Sequence, residues 1–183
     1  MGQYLTWRHA AYFAAGSLVT AVFLGGAAHA ITDTIFKYST PKTGYLSVDP
    51  AGLMPLTHDD ADAYGTYYYY GAVTTTTLVY SCFGKSVELP QGARVTGLTG
   101  WYEYGMRLSL FRHSLAQGGN EILGDRVFGT ADTGRKVGNV AIDATLRVID
   151  NQRYTYALVM CLPKTTNNFF GARIAYTYTT AGD

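Results

Sequence analysis

The residues with the best claim to covalent chemistry are histidines, and they are sparse. Beyond residue 30 the chain has two, His58 and His113. A hydrolytic triad needs a nucleophile beside one of them and a carboxylate behind it. That part of the chain has no Gly-x-Ser-x-Gly elbow and no cysteine besides Cys82 and Cys161. His113 follows Arg112 at the end of a strand-like run and reads as an exposed strand-end residue. Glu88 and Glu103 are the pair to consider for glycoside hydrolysis, which needs two carboxylates at a set separation. Glutamates on strands facing solvent are the plainer account of both. A catalytic constellation is not expected, and neither is an enzyme.

For a cation, the cluster His58-Asp59-Asp60-Ala61-Asp62 offers the densest oxygen ligands. Calcium takes several oxygens from a flexible loop, and Asp59, Asp60 and Asp62 supply carboxylates, although the spacing and terminal Glu of an EF-hand are absent. A solvated acidic loop is the simpler reading, so no cofactor is expected, with calcium as the alternative. Glu121, Asp125 and Asp132 form a second acidic set, useful only where the fold brings them together.

Non-covalent recognition has more to work with. Aromatic residues make up 14% of the chain, with 16 tyrosines, more than a core alone needs. Tyrosine has a flat apolar face and a polar tip, suited to stacking on sugar rings or to a wet protein interface. Tyr67, Tyr68, Tyr69, Tyr70, Trp101, Tyr102 and Tyr104 are the candidate ligand-binding residues. The competing account has alternate members lining the core and the others on an ordinary β surface.

What positions these residues begins after a leader. A weakly basic start ending at Arg8 precedes an apolar run over residues 10–28, closed by Ala28-His29-Ala30. This is the pattern of a signal peptide over residues 1–30 with cleavage after Ala30. The run is nearly long enough to span a bilayer, so an uncleaved anchor is the alternative. Export implies a secreted, periplasmic or cell-surface protein, with no stable membrane insertion after cleavage. The chain has 14 Lys plus Arg against 13 Asp plus Glu; Arg8 is the leader's only charge, which leaves 13 against 13. A neutral domain lacks the electrostatic footprint for nucleic acid or an anionic membrane. Cys82 and Cys161, each in an apolar run of an exported chain, are expected to form one disulfide rather than two buried thiols.

Residues 31–183 read as one all-β domain. A short strand near residues 35–38 is expected to turn through Ser39-Thr40-Pro41-Lys42-Thr43-Gly44 and resume at Tyr45. Residues 51–64 read as a loop, and residues 78–83 as a strand. Residues 87–104 are the centrepiece, a Leu89-Pro90-Gln91-Gly92 turn running into a strand with apolar groups on both sides. That predicts a central strand covered on both faces, with Gly97 and Gly100 marking a bulge or a close backbone approach. Gly105 should turn a hairpin into the strand containing Met106, Leu108 and Leu110. Residues 114–138 read as a loop hiding a strand near residues 126–130. Three period-two runs then follow, at Ile142–Ile149 by residue numbers 142–149, at 154–162 and at 170–178, and they predict an antiparallel meander. Eight or nine strands without a helix make an antiparallel β-sandwich, with jelly-roll connections as one way to link them.

Three segments carry a resemblance: Thr40-Pro41-Lys42-Thr43-Gly44-Tyr45, Leu89-Pro90-Gln91-Gly92-Ala93-Arg94-Val95-Thr96, and Asp150-Asn151-Gln152-Arg153-Tyr154-Thr155-Tyr156. Together the chain resembles a group of uncharacterised exported bacterial β-sandwich domains. The resemblance implies a fold and a compartment, and its turn and strand signatures carry no chemistry. The expectation is an exported, non-enzymatic structural or interaction module that contacts a partner protein or itself. The alternative is a carbohydrate-binding module that holds a polysaccharide on exposed aromatics; a small secreted hydrolase comes third.

Overall fold

The computed structural model describes residues 36–57, 64–67, 71–75, 80–129, 134–163 and 167–181. The leader therefore lies outside the described residues, as do His58, Asp59, Asp60, Asp62 and Asp132. Among the described residues no helix is long and apolar enough to cross a membrane.

Among the described residues eleven strands form two antiparallel sheets: β1 (Phe36–Val48), β2 (Met54–Pro55), β3 (Tyr64–Tyr67), β4 (Ala72–Thr75), β5 (Ser81–Ser86), β6 (Arg94–Glu103), β7 (Met106–Ser114), β8 (Asn120–Phe128), β9 (Arg135–Val140), β10 (Tyr154–Leu162) and β11 (Asn168–Ala181). A six-stranded sheet runs β3-β4-β11-β6-β9, with β1 on the same side of β11 as β4; a five-stranded sheet runs β2-β5-β10-β7-β8. From β4 onward the chain changes sheet at every connection except β7 to β8. This is the jelly-roll wiring of a β-sandwich.

That wiring corrects two expectations. The turn at Tyr104-Gly105 does not close a hairpin ladder: β6 and β7 belong to different sheets, so it is a corner of the sandwich. Both residues have positive φ, 63° and 88°, and a Cβ on Gly105 would lie 2.7 Å from the Gly129 carbonyl oxygen. The three late runs are no meander either. β10 and β11 face each other from opposite sheets, and residues 142–149 hold only one bridge, Val148 to Arg94. The cause is local. Asp143 accepts hydrogen bonds from the Thr145 amide at 2.7 Å and hydroxyl at 2.6 Å, folding a turn where alternation suggested a strand.

Elsewhere strands replace predicted turns. β1 runs unbroken through Pro41, because the register against β11 jumps between Lys37 and Lys42 and the proline sits in that irregularity, where no ladder amide is required. The long loop after β7 contains two strands, β8 and β9. Each is the last strand of its sheet, and β8 shows few buried residues, which explains its weak apolar signature.

β6 is central as expected, between β11 and β9. Its inner face is buried through Val95, Leu98, Gly100 and Tyr102, while Thr99 and Trp101 on the other face are half-exposed, so it is not covered on both sides. The two glycines divide the predicted roles. The register shift opposite Gly97 leaves Thr96 as an extra residue, a bulge that switches the inward phase. At Gly100, a Cβ would meet Met106 Cε at 2.5 Å and Leu108 Cδ2 at 2.8 Å, so the glycine lets the tips of these side chains from the opposite sheet pack directly on the β6 backbone.

Between the sheets lie Phe83, Leu108, Leu110, Leu158 and Met160 from one side and Val73, Val95, Leu98, Phe169 and Ile174 from the other, all fully buried. Each such side chain contributes about 1.5–3 kcal/mol. Cys82 and Cys161 face each other across β5 and β10 and are disulfide-bonded. The bond closes a loop with a sequence separation of 79. A loop of that length corresponds to about 4–5 kcal/mol in the chain-entropy account.

Two of the three segments of the resemblance, 89–96 and 150–156, meet in space. Gly92 donates to the Ile149 carbonyl, Ile149 to Ala93, and Val95 to Arg147. Asn151 donates its amide to Gln91 Oε1 at 2.6 Å and its Nδ2 to the Leu89 carbonyl at 2.9 Å. The Asp150 amide donates to the Tyr156 hydroxyl at 2.7 Å. The two signatures are thus halves of one clasp at an end of the sandwich.

Candidate functional site

The sandwich has two outer faces, and their side chains are arranged differently. On the six-stranded sheet, register places Ser47, Arg173, Thr99 and Asn139 side by side across β1, β11, β6 and β9. Thr99 donates to Asn139 Oδ1 at 2.9 Å. Tyr45 lies one outward position away on β1, and Trp101 one outward position away on β6 in the other direction. Arg173 bridges them, its guanidinium carbon 4.9 Å from the Tyr45 ring centre and 5.5 Å from that of Trp101. Further along the face Arg135 stacks at 4.2 Å on Phe170, and Val137, cross-strand from Trp101, is exposed. Glu103 accepts from Asn168 Nδ2 at 3.1 Å.

A cation stacked on a ring uses the face of its guanidinium and leaves the N–H edges in the plane. Among the described residues, no carboxylate pairs with Arg173 or Arg135. Tyr45 is 60% exposed. The row Tyr45–Arg173–Trp101 therefore presents flat apolar surface and unspent donors together, which is what an oligosaccharide with apolar ring faces and hydroxyl edges requires.

The five-stranded sheet carries a groove of about 560 Å³ on its outer face. Gly84, Ala157 and Val159 are small residues along it, with Met54 and Leu56 on one flank and Phe111 and His113 on the other. The His113 ring stacks on Phe111 at 6.2 Å, and its Nδ1 sits 2.5 Å from Asn120 Oδ1. Next to the groove the polar groups satisfy one another. Arg107 forks Asp125 at 2.8 and 2.9 Å, and Ser109 donates to the same carboxylate at 2.5 Å. These bonds hold the Asp125 carboxyl below its ordinary pKa and the Arg107 guanidinium above its own. Arg112 pairs with Glu121 at 2.7 Å, which likewise lowers the Glu121 carboxyl.

The predicted site residues scatter over these surfaces. Trp101 is on the outer face of the six-stranded sheet, in the row just described. Tyr102 is corrected to a core residue: it is 4% exposed and packs 4.8 Å from Phe128, so it has no face for a ligand. Tyr104 is half-buried at the corner, where its carbonyl and that of Gly105 accept from Nδ2 of Asn167, a residue with 0% exposure. That is a structural post. Tyr67 ends β3 but its side chain, like Tyr68, Tyr69 and Tyr70, lies outside the described residues. So do the predicted calcium ligands Asp59, Asp60 and Asp62. Of the second acidic set, Glu121 and Asp125 are taken up by arginines. Among the described residues no group of three or more His, Cys, Asp or Glu is placed to hold a metal ion. His113 meets Asn120 and Phe111 instead of a nucleophile and a carboxylate, and Glu103 is on β6 while Glu88 follows β5 of the other sheet.

Tyr45, Phe170, Arg173 and Arg135 were missed as site residues. Arg173 had a readable signal: it interrupts the apolar alternation Ala172, Ile174, Tyr176 on the outward phase. No signal in sequence joins it to Tyr45 and Trp101, which lie 128 and 72 positions away.

No protein-family profile and no curated protein matches the chain. Among solved structures it is similar to a Podospora anserina β-(1,4)-mannanase that includes a carbohydrate-binding module, at 12% identity over 76% of this chain and 28% of that one, TM-score 0.43. The chain thus spans under a third of that protein. It is also similar to the C-terminal carbohydrate-binding module of a laminarinase from Zobellia galactanivorans, at 12% identity over 72% of this chain and 98% of that one, TM-score 0.41. A third similar structure is a cyclase from Fischerella sp. bound to 4-(1H-indol-3-yl)butan-2-one, at 12% identity over 84% and 92%, TM-score 0.34. Binding modules and a catalytic protein stand together in this set, so a chemistry for this chain has to come from its own residues.

Proposed function

We propose that this chain is an exported, non-enzymatic glycan-binding module whose site is the outer face of the six-stranded sheet. The row Tyr45–Arg173–Trp101 carries the reading, because it sets exposed rings and unpaired guanidinium edges side by side on a rigid strand platform. The leader pattern and the cross-strand disulfide support export to an oxidising compartment. The environment of His113 and the separation of Glu88 from Glu103 support binding without turnover.

The test is retention on a panel of soluble and insoluble polysaccharides, using the chain expressed with its own leader. Retention is expected for the native chain and loss for Trp101→Ala with an unchanged melting temperature. Retention that survives both Trp101→Ala and Tyr45→Ala places the ligand elsewhere and refutes the proposal.

A second reading, a protein-interaction module, is favoured by the other sheet. Met54 and Leu56 at the groove, and Ile122 on the outermost strand, are exposed apolar side chains. Light scattering of the native chain against Ile122→Lys and Met54→Lys tests it, with self-association lost in the variants as the expected result and concentration-independent monomer in the native chain as the refutation.

A further inference from the structure

The near-neutral composition conceals a separation of charge. Strands of the six-stranded sheet carry six cations, Lys37, Lys42, Arg94, Arg135, Lys136 and Arg173, against one acid, Glu103. Those of the five-stranded sheet carry four cations, Lys85, Arg107, Arg112 and Arg126, against two acids, Glu121 and Asp125. The partners differ as well. Arg107 and Arg112 are paired with Asp125 and Glu121, and ring contacts occur on this sheet too, Arg112 over Tyr154 at 4.2 Å and Arg126 over Phe128 at 5.1 Å. On the six-stranded sheet three of the six cations rest on rings with no carboxylate partner among the described residues: Lys42 over Tyr38, Arg135 over Phe170, Arg173 over Tyr45 and Trp101. A ring holds a cation in place without cancelling its charge or using its donors.

Resting on the glycan-binding reading above, we infer that the ligand is an acidic polysaccharide, one bearing carboxylate or sulfate groups along a chain of pyranose rings. The rings of Tyr45 and Trp101 take sugar faces, and the edges of Arg173 and Arg135 take the anionic groups, where a guanidinium matches a carboxylate with two parallel hydrogen bonds. A polysaccharide is preferred to nucleic acid or lipid because the disulfide favours an exported, oxidising setting, where acidic polysaccharides are the abundant polyanions. The aromatic–cation alternation runs across neighbouring strands of one sheet face, an arrangement that sets rings and donors at the spacing of successive sugar units.

The experiment is affinity electrophoresis of the full chain through gels containing polygalacturonate, its fully methyl-esterified form, or a neutral glucan, at low and raised ionic strength. The expected result is retardation by polygalacturonate that weakens as salt rises, with little retardation by the esterified form. Arg173→Gln is expected to reduce the affinity by roughly tenfold, about 1.4 kcal/mol. Arg173→Lys should recover only part of it, since an ammonium keeps the charge and loses the fork. Arg107→Gln, altering an ion pair on the other sheet, is expected to bind like the native chain. Equal retardation by the acid and its ester overturns the acidic-ligand inference while leaving glycan binding intact. Retardation by none of the polymers overturns both. Salt-sensitive binding to phosphatidylserine vesicles or to single-stranded DNA, without retardation by polygalacturonate, overturns the choice of polysaccharide.

Discussion

Arg107 and Arg173 occupy comparable outward positions on the two sheets, yet their surroundings are opposite. Arg107 lies on β7 with its guanidinium forked by Asp125. Arg173 lies on β11 between two rings, with no carboxylate among its described neighbours. The first arrangement ties strands together: Arg107, Ser109 and Asp125 link β7 to β8, and Cys82–Cys161 links β5 to β10. The second leaves charge and donors facing outward. Among the described residues, Arg107 and Arg112 of the five-stranded sheet have carboxylate partners, whereas Arg173 and Arg135 of the six-stranded sheet have none. In a neutral domain the sites of interaction are set by where charges are left unpaired, and total charge is a poor guide to them.

Changes on the two sheets should accordingly be read out by different instruments. Cys82→Ser with Cys161→Ser should lower unfolding free energy by about 4–5 kcal/mol, measured by denaturant titration, and should leave ligand specificity unchanged under folding conditions. Asn167→Ala removes the donor shared by the Tyr104 and Gly105 carbonyls at the corner between the sheets. It should cost about 2–3 kcal/mol, seen as a lowered melting temperature, because two backbone acceptors lose their partner. Trp101→Ala should reverse this pattern, with glycan affinity lost by tenfold or more, about 1.4 kcal/mol, and stability nearly intact because the ring is only half-buried.

The smallest effect concerns pH. Asp125 titrates below its ordinary value in the folded state, chiefly through the hydrogen bond from Arg107. A depressed carboxyl contributes stability that is fully present above its unfolded value, near 3.9, and is lost as pH falls through the lower folded value. Asp125→Asn should therefore lower stability slightly at neutral pH, where the contribution is fully present, and flatten the acid limb of a stability–pH curve below about pH 4, where the two curves converge. An unaltered acid limb would show that Asp125 makes no pH-dependent contribution, and a large loss at neutral pH would show that the Arg107 fork does more than its partly exposed setting implies.

How far the sequence could be read depended on which forces were local. Strand residues such as Leu158 and Met160, and the pairing of Cys82 with Cys161, follow from alternation and compartment, and the structure contains them. The jelly-roll order does not follow, because alternation states which way a side chain points and says nothing about which sheet it joins. That is why the corner at Tyr104-Gly105 resembled a hairpin and why β10 and β11 resembled neighbours. Trp101, Tyr102 and Tyr104 look alike in sequence, so alternation alone does not separate the core residue Tyr102 from the outward Trp101. The bulge at Thr96 and Gly97 decides which of them point inward; Gly97 and Gly100 both offer one in the sequence, and only the register against β11 settles which of the two it is. Arg173 was legible as an outward interruption of an apolar run, but its rings come from strands far away in sequence.

The most direct measurement of the central claim is chemical-shift mapping of the isotope-labelled chain as an acidic oligosaccharide is added. The account predicts shifts at the Trp101 indole N–H, the Arg173 and Arg135 guanidinium groups and the Thr99 and Val137 amides, with Phe111, His113 and Val159 unmoved. Shifts confined to Phe111, His113 and the residues around the groove of the five-stranded sheet would contradict it and move the site to the other face of the molecule.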